Sequence, residues 1–123
     1  MAKILIVDDS PTVRQLLKLG LSRLPGVTCD EAADGREALH KLDGGPFDLV
    51  LCDVNMPVLG GLGLLDELRQ RPALKELPVI MVTTEGALED QERALEKGAS
   101  AYLTKPIQLP RLLEIIRRFL PAT

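Results

Sequence analysis

The chain has 123 residues, with 15 Lys and Arg against 18 Asp and Glu for a net charge of −3, and is 46% apolar and 27% charged. That length predicts a single domain over residues 1–123, and the mixture excludes a disordered or fibrous chain. An acidic balance without a basic block excludes nucleic-acid binding by bulk charge, and no apolar run approaches the roughly 18 residues that would insert into a bilayer.

The first apolar run, residues 3–8, is apolar throughout Ile4-Leu5-Ile6-Val7 and predicts a strand buried on both faces. It meets Asp8 and Asp9 too soon to be a secretory signal. Ser10 followed by Pro11 reads as the start of a helix over 11–24. On that helix Val13, Leu17, Gly20, Leu21 and Leu24 share one stripe, where close packing at Gly20 offsets its cost of about 1 kcal/mol. A second strand over 27–31 leads to Asp34 and Glu37, spaced as a capping box, and a helix over 35–43. Gly44 stands where a left-handed helix stop is expected. A strand over 48–53 and a helix over 61–70 come next. Strand 78–83 is again apolar through Val79-Ile80-Met81-Val82. A helix over 87–97 ends at Gly98, a second expected left-handed stop, before a strand over 101–104 and a helix over 108–120. Strands alternating with helices imply crossover connections, hence an α/β fold with a doubly wound five-stranded parallel sheet and five helices. Such sheets bind ligands outside the carboxyl ends of their strands. Cys29 and Cys52 lack metal-site spacing and predict reduced thiols in a cytoplasmic protein.

At those carboxyl ends lie Asp8 and Asp9, Asp53, Thr83, and Lys105 with Pro106. A lone strand-end Asp is commonly a solvated loop residue, but five such groups at strand termini point to a site. The three carboxylates and one ammonium leave two negative charges. Like charges about 4 Å apart repel by on the order of 4 kcal/mol at an effective dielectric near 20. A divalent cation cancels the excess, and an all-oxygen donor set with room for water suits Mg²⁺ better than Zn²⁺. The chemistry this predicts is phosphoryl transfer to an aspartate, with metal and lysine neutralising the moving oxygens.

Asp8-Asp9, Asp53 followed by Asn55-Met56-Pro57, Thr83, and Tyr102 with Lys105-Pro106 resemble the motifs of a response-regulator receiver domain, over essentially the whole chain. The resemblance, nearest to single-domain chemotaxis regulators, implies the flavodoxin-like strand order 2-1-3-4-5. It implies that Asp53 is the phosphoacceptor, charged by a histidine kinase or phosphotransfer protein. Mg²⁺ is expected on the side chains of Asp9 and Asp53 and the backbone carbonyl of Asn55, with Asp8 acting mostly through water. Lys105 is expected to pair with the phosphoryl oxygens and to precede a cis proline. Thr83 is expected to bond the phosphoryl group, and Tyr102 to swing inward behind it. One charged hydrogen bond contributes roughly 1.5–3 kcal/mol, whereas a shift from 1:99 to 99:1 needs about 5.5. An incomplete switch is therefore expected, with the active state populated before phosphorylation.

Departures from the family pattern are Gly60 and Gly63, expected to loosen the start of the third helix; Gln108, a weak N-cap; and Ile107, where phenylalanine is frequent. The fourth helix reads as weakly anchored, with Leu88 and Leu95 its main large apolar residues. It carries Glu89, Asp90, Glu92 and Glu96 against Arg93 and Lys97, with Glu85 just before it. With the fifth strand and fifth helix it is expected to form the face that binds a downstream effector. Leu19, beside Thr12, Gln15 and Leu16, points away from the core and is a candidate contact for a kinase helical bundle. His40 reads as an exposed helix residue. A phosphatase with an aspartyl-phosphate intermediate is the alternative, disfavoured by Asn55 where such enzymes carry a second Asp and by the lack of room for a cap domain. No phosphate-binding glycine motif follows the first strand, which disfavours a nucleotide or flavin carrier. A monomer that is a self-phosphorylating switch rather than a conventional enzyme is expected.

Overall fold

A computed structural model describes residues 2–56, 58–84 and 88–120, so Pro57 of the phosphoacceptor motif and Glu85 before the fourth helix lie outside the described residues. Strands and helices alternate as β1 (Ala2–Val7), α1 (Pro11–Leu21), β2 (Val27–Ala32), α2 (Gly35–Gly44), β3 (Leu49–Asp53), α3 (Gly61–Gln70), β4 (Val79–Thr84), α4 (Leu88–Glu96), β5 (Ala101–Lys105) and α5 (Leu109–Phe119). All four strand pairings are parallel, in the order β2-β1-β3-β4-β5. This is the doubly wound order that the resemblance implies.

Because successive strand side chains point to opposite faces, each central strand feeds two cores. Leu5, Val7, Val50, Cys52, Val79 and Met81 pack beneath α2 and α3, against Ala38, Leu42, Leu64, Leu65 and Leu68. Ile4, Ile6, Leu49, Leu51, Ile80 and Val82 pack beneath α1 and α5, against Leu17, Leu21, Leu112, Ile115 and Ile116. The continuous apolar runs therefore have a structural cause: β1, β3 and β4 are covered on both sides, whereas the edge strands β2 and β5 are partly wet. Among the described residues no helix is long and apolar enough to cross a membrane.

The helix starts follow the sequence closely. Ser10 Oγ accepts from the Val13 N–H at 3.3 Å, with Pro11 at the first helical position. Asp34 Oδ1 accepts from the Glu37 N–H at 2.8 Å, while the Glu37 carboxylate faces Lys41 at 3.8 Å instead of closing the capping box. Gln108 stands at the α5 N-cap without a side-chain bond. Helix α1 stops at Leu21 rather than residue 24. The N–H groups of Arg23 and Leu24 bond three residues back, to Gly20 and Leu21, and this tighter turn still carries Leu24 into the core.

The glycines correct several expectations. Gly98 has φ +99° and is the left-handed stop expected of it. Gly44 is not such a stop: it is the last residue of α2, and the chain leaves through an extended Gly45 at φ −168°. At Gly20 a Cβ would come 2.6 Å from Leu109 Cδ1, so α1 and α5 do approach closely there. The start of α3 is packed rather than loose. A Cβ at Gly61 would collide with the Asp53 carbonyl oxygen and with Met81 Cε, and the Gly61 N–H donates to the Val54 carbonyl at 2.9 Å.

Helix α4 also differs from expectation. Leu88 and Leu95 are 67% and 48% exposed and contribute little anchoring. The described side chains that α4 buries are Gln91 and Ala94, three residues apart on one face.

A paired test follows for urea unfolding. Gly61→Ala is expected to destabilise the fold by about 1–3 kcal/mol through overpacking against backbone. Gly44→Ala, whose Cβ would meet nothing within 4 Å, is expected to stabilise it by about 0.4–1 kcal/mol.

Candidate functional site

The parallel register brings three strand ends together. Asp8 follows β1, Asp53 ends β3, and Lys105 ends β5, with β4 between the last two. One carboxylate oxygen each from Asp8, Asp9 and Asp53 lie within 4.8 Å of one another, with Asp8 and Asp53 buried and Asp9 exposed. The three acids expected from sequence thus form one cluster, open to solvent on the Asp9 side.

Asp8 Oδ1 accepts from the Ser10 N–H at 2.8 Å, which ties the carboxylate to the start of α1. The Asp8 carbonyl accepts from Arg14 Nη1 at 2.5 Å, and Arg14 is itself fixed by Glu31 at 3.0 Å. Asp53 Oδ1 accepts from the Asn55 N–H at 3.4 Å, while Oδ2 accepts from Lys105 Nζ at 3.2 Å. Lys105 Nζ also lies 3.7 Å from Asp8 Oδ2, so one ammonium spans both buried acids. The bond joining Lys105 to Pro106 is cis, as the resemblance implies.

The electrostatics follow from burial. Desolvation pushes the Asp53 carboxyl above its ordinary value; Lys105 opposes this, and Asp8 adds to it. Desolvation works against the Lys105 ammonium, yet Asp53 and Asp8 together hold it above the usual lysine range. Below the site Cys52 is fully buried, and desolvation raises its thiol far beyond reach of ionisation. One lysine thus leaves the three acids with an uncompensated charge of about two.

Thr83 and Tyr102 occupy neighbouring strands, with Thr83 opposite Thr104 near the carboxyl edge and Tyr102 two residues earlier, opposite Met81. Thr83 is fully buried, and its hydroxyl donates to the Leu103 carbonyl at 3.4 Å. Tyr102 is 37% exposed on β5. His40 is exposed on α2 and belongs to no metal-ligating cluster among the described residues. Two contributors have no sequence signal beyond being polar. Arg14 pins the Asp8 backbone from six residues away, and Gln91 donates from Nε2 to the Thr83 hydroxyl at 3.4 Å.

This geometry has close counterparts in known proteins. Residues 4–117 match the family model of the response regulator receiver domain. The chain is 42% identical over 113 residues to the chemotaxis protein CheY1 of Helicobacter pylori (strain ATCC 700392 / 26695), covering 91% of this chain and 90% of that protein. The chemotaxis response regulator CheY4 of Vibrio cholerae superposes with a TM-score of 0.89 at 39% identity, covering 98% of this chain and 99% of that one. The signal receiver domain of a signal transduction histidine kinase from Syntrophus aciditrophicus also gives 0.89, at 37% identity over 98% of this chain and 90% of that one. A phospho-switch built on a doubly wound sheet is the class that fold and site define. The chain belongs to the response regulator receiver domain family, the signalling switches of two-component systems.

The buried repulsion has a measurable sign. A carboxyl raised above its ordinary value favours folding below that value and costs stability as pH rises through the raised one. In metal-free protein at neutral pH, Asp53→Asn is therefore expected to raise Tm by about 2–5 °C. In thermal melts across pH, that advantage is expected to vanish as the pH falls towards the ordinary carboxylate value of 3.8.

Proposed function

We propose that Asp53 is the phosphoacceptor of a cytoplasmic chemotaxis-type receiver, that residues 1–123 act as one unit, and that Lys105 and a Mg²⁺ ion share the work of charge neutralisation. The observation that carries this reading is the Asp8, Asp9 and Asp53 oxygen cluster, with Lys105 bridging Asp8 and Asp53. The donor set is all oxygen, carries an excess of two negative charges and is open on the Asp9 side, which fits a hydrated divalent ion. Asp9, Asp53 and the Asn55 carbonyl would hold it, with Asp8 behind. When bound, the ion supplies Lewis-acid stabilisation of the phosphoryl oxygens.

The protein's own groups do the rest. Asp53 offers a carboxylate oxygen to the phosphorus of a phosphohistidine. The new O–P bond forms as the P–N bond breaks, and the departing imidazole keeps the electron pair. The added charge falls beside Lys105, already held 3.2 Å from Asp53 Oδ2, so little reorganisation is needed. Thr83 supplies the hydrogen bond that distinguishes the phosphorylated state once its hydroxyl turns from Leu103. Tyr102, exposed on β5, then reports that change on the face formed by α4, β5 and α5, where a downstream effector binds.

The phosphodonor has a matching surface. Leu16 and Leu19 are 63% and 60% exposed on α1. With Pro106, Ile107 and Leu109 they line a groove of about 510 Å³ that reaches Lys105. A helical phosphodonor domain laid there delivers its histidine to the site, which gives the exposed leucines a purpose.

Mass spectrometry tests the chemistry. Acetyl phosphate with Mg²⁺ is expected to add one phosphoryl group to the wild type and none to Asp53→Asn. Chelating the metal is expected to abolish labelling. Leu19→Lys is expected to slow transfer from a phosphorylated histidine kinase domain at least tenfold while leaving acetyl phosphate labelling unchanged. Equal slowing of both would remove the docking role.

A further inference from the structure

Among the described residues four polar or charged side chains are buried: Asp8, Asp53, Thr83 and Gln91. The first three belong to the phosphorylation site, and the fourth does not follow from it. Gln91 is only 8% exposed although it sits in a helix otherwise rich in solvated charge. Its Nε2 donates to Thr83 Oγ1 at 3.4 Å while the Thr83 hydroxyl donates to the Leu103 carbonyl at 3.4 Å. Both distances lie at the long end of hydrogen bonding.

A hydroxyl has one proton to donate. Thr83 cannot bond a phosphoryl oxygen and Leu103 at once, so activation must release the β5 carbonyl. The Thr83 oxygen still accepts, however, and buried Gln91 makes no other side-chain hydrogen bond among the described residues. A buried amide left without an acceptor is costly, so Gln91 follows Thr83 or gives up its place. Either response moves α4, because Leu88 lies largely and Leu95 about half in solvent, and the remaining buried side chain described is Ala94.

We propose that Gln91 is a positioning residue: its amide ties α4 to the Thr83 hydroxyl, holds the resting conformation, and passes the movement of Thr83 directly to α4. This rests on the reading of Asp53 as phosphoacceptor and adds a link from threonine to helix that runs beside Tyr102.

The test uses beryllofluoride with Mg²⁺ as the phosphoryl mimic, titrated into the full chain and followed by ¹⁵N-resolved NMR. In the wild type the Gln91 side-chain NH₂ signal is expected to shift on binding. Gln91→Met fills the same space without the donor, and Gln91→Leu is a second such variant. Each is expected to lower the half-saturating beryllofluoride concentration about twofold to tenfold, the worth of one neutral hydrogen bond in the resting state. In a Thr83→Val background Gln91→Met is expected to have no effect on that midpoint. A stationary Gln91 signal, an unchanged midpoint in folded variants, or an equal shift in the Thr83→Val background would overturn the proposal alone. Failure of the wild type to take up beryllofluoride at Asp53 would overturn the phosphoacceptor reading and this link with it.

Discussion

Two carboxylates, Asp8 and Asp53, are buried side by side at the ends of adjacent parallel strands and share one lysine. Charges at such separations repel by on the order of 3–4 kcal/mol at an effective dielectric near 20. The fold tolerates this because the strands carrying them are fixed by the two cores, and because the Ser10 and Asn55 amides and the Arg14 bond to the Asp8 carbonyl hold the acids in place. On the proposed reading the repulsion would make the site selective: a pocket short of about two positive charges would bind a divalent cation readily, and with that ion it would tolerate a phosphoryl group. A neutral pocket of the same shape has no comparable preference.

Much of this was legible from residue order. Continuous apolar runs identify strands covered on both faces because polar residues there would be stranded in a dry interior. Ser10-Pro11 and Asp34 mark helix starts because their side chains satisfy orphan amides within the same few residues. The strand-end acids and Lys105 were legible because a doubly wound sheet brings carboxyl ends to one edge whatever the details of packing. The features missed are those decided between elements distant in sequence. Gly44 carries a stop signal that the open space around it never requires, whereas Gly61 is needed for a close approach to β3 that no local pattern announces. Leu88 and Leu95 look like the anchors of α4 until the sheet beneath it offers a hydroxyl, which suits Gln91 better.

The same contrast separates the chemical half of the molecule from the mechanical half. Asp8, Asp53 and Lys105 stand at the ends of strands fixed by the two cores and are cross-linked by one ammonium that faces both acids. Gln91 and Ala94 are the described side chains that α4 buries, so α4 is tied to the sheet by a small face and the Gln91–Thr83 bond. A switch needs this asymmetry: the reacting atoms must stay fixed while their neighbours have two arrangements of similar free energy.

The chain has no tryptophan and a single tyrosine, which the fold places on β5 at 37% exposure. Ultraviolet-excited emission from the protein therefore originates almost wholly from one phenol ring, on an edge strand of the sheet. Quenching or anisotropy of that ring reads the environment of a single position without any added dye, so the molecule carries its own optical gauge.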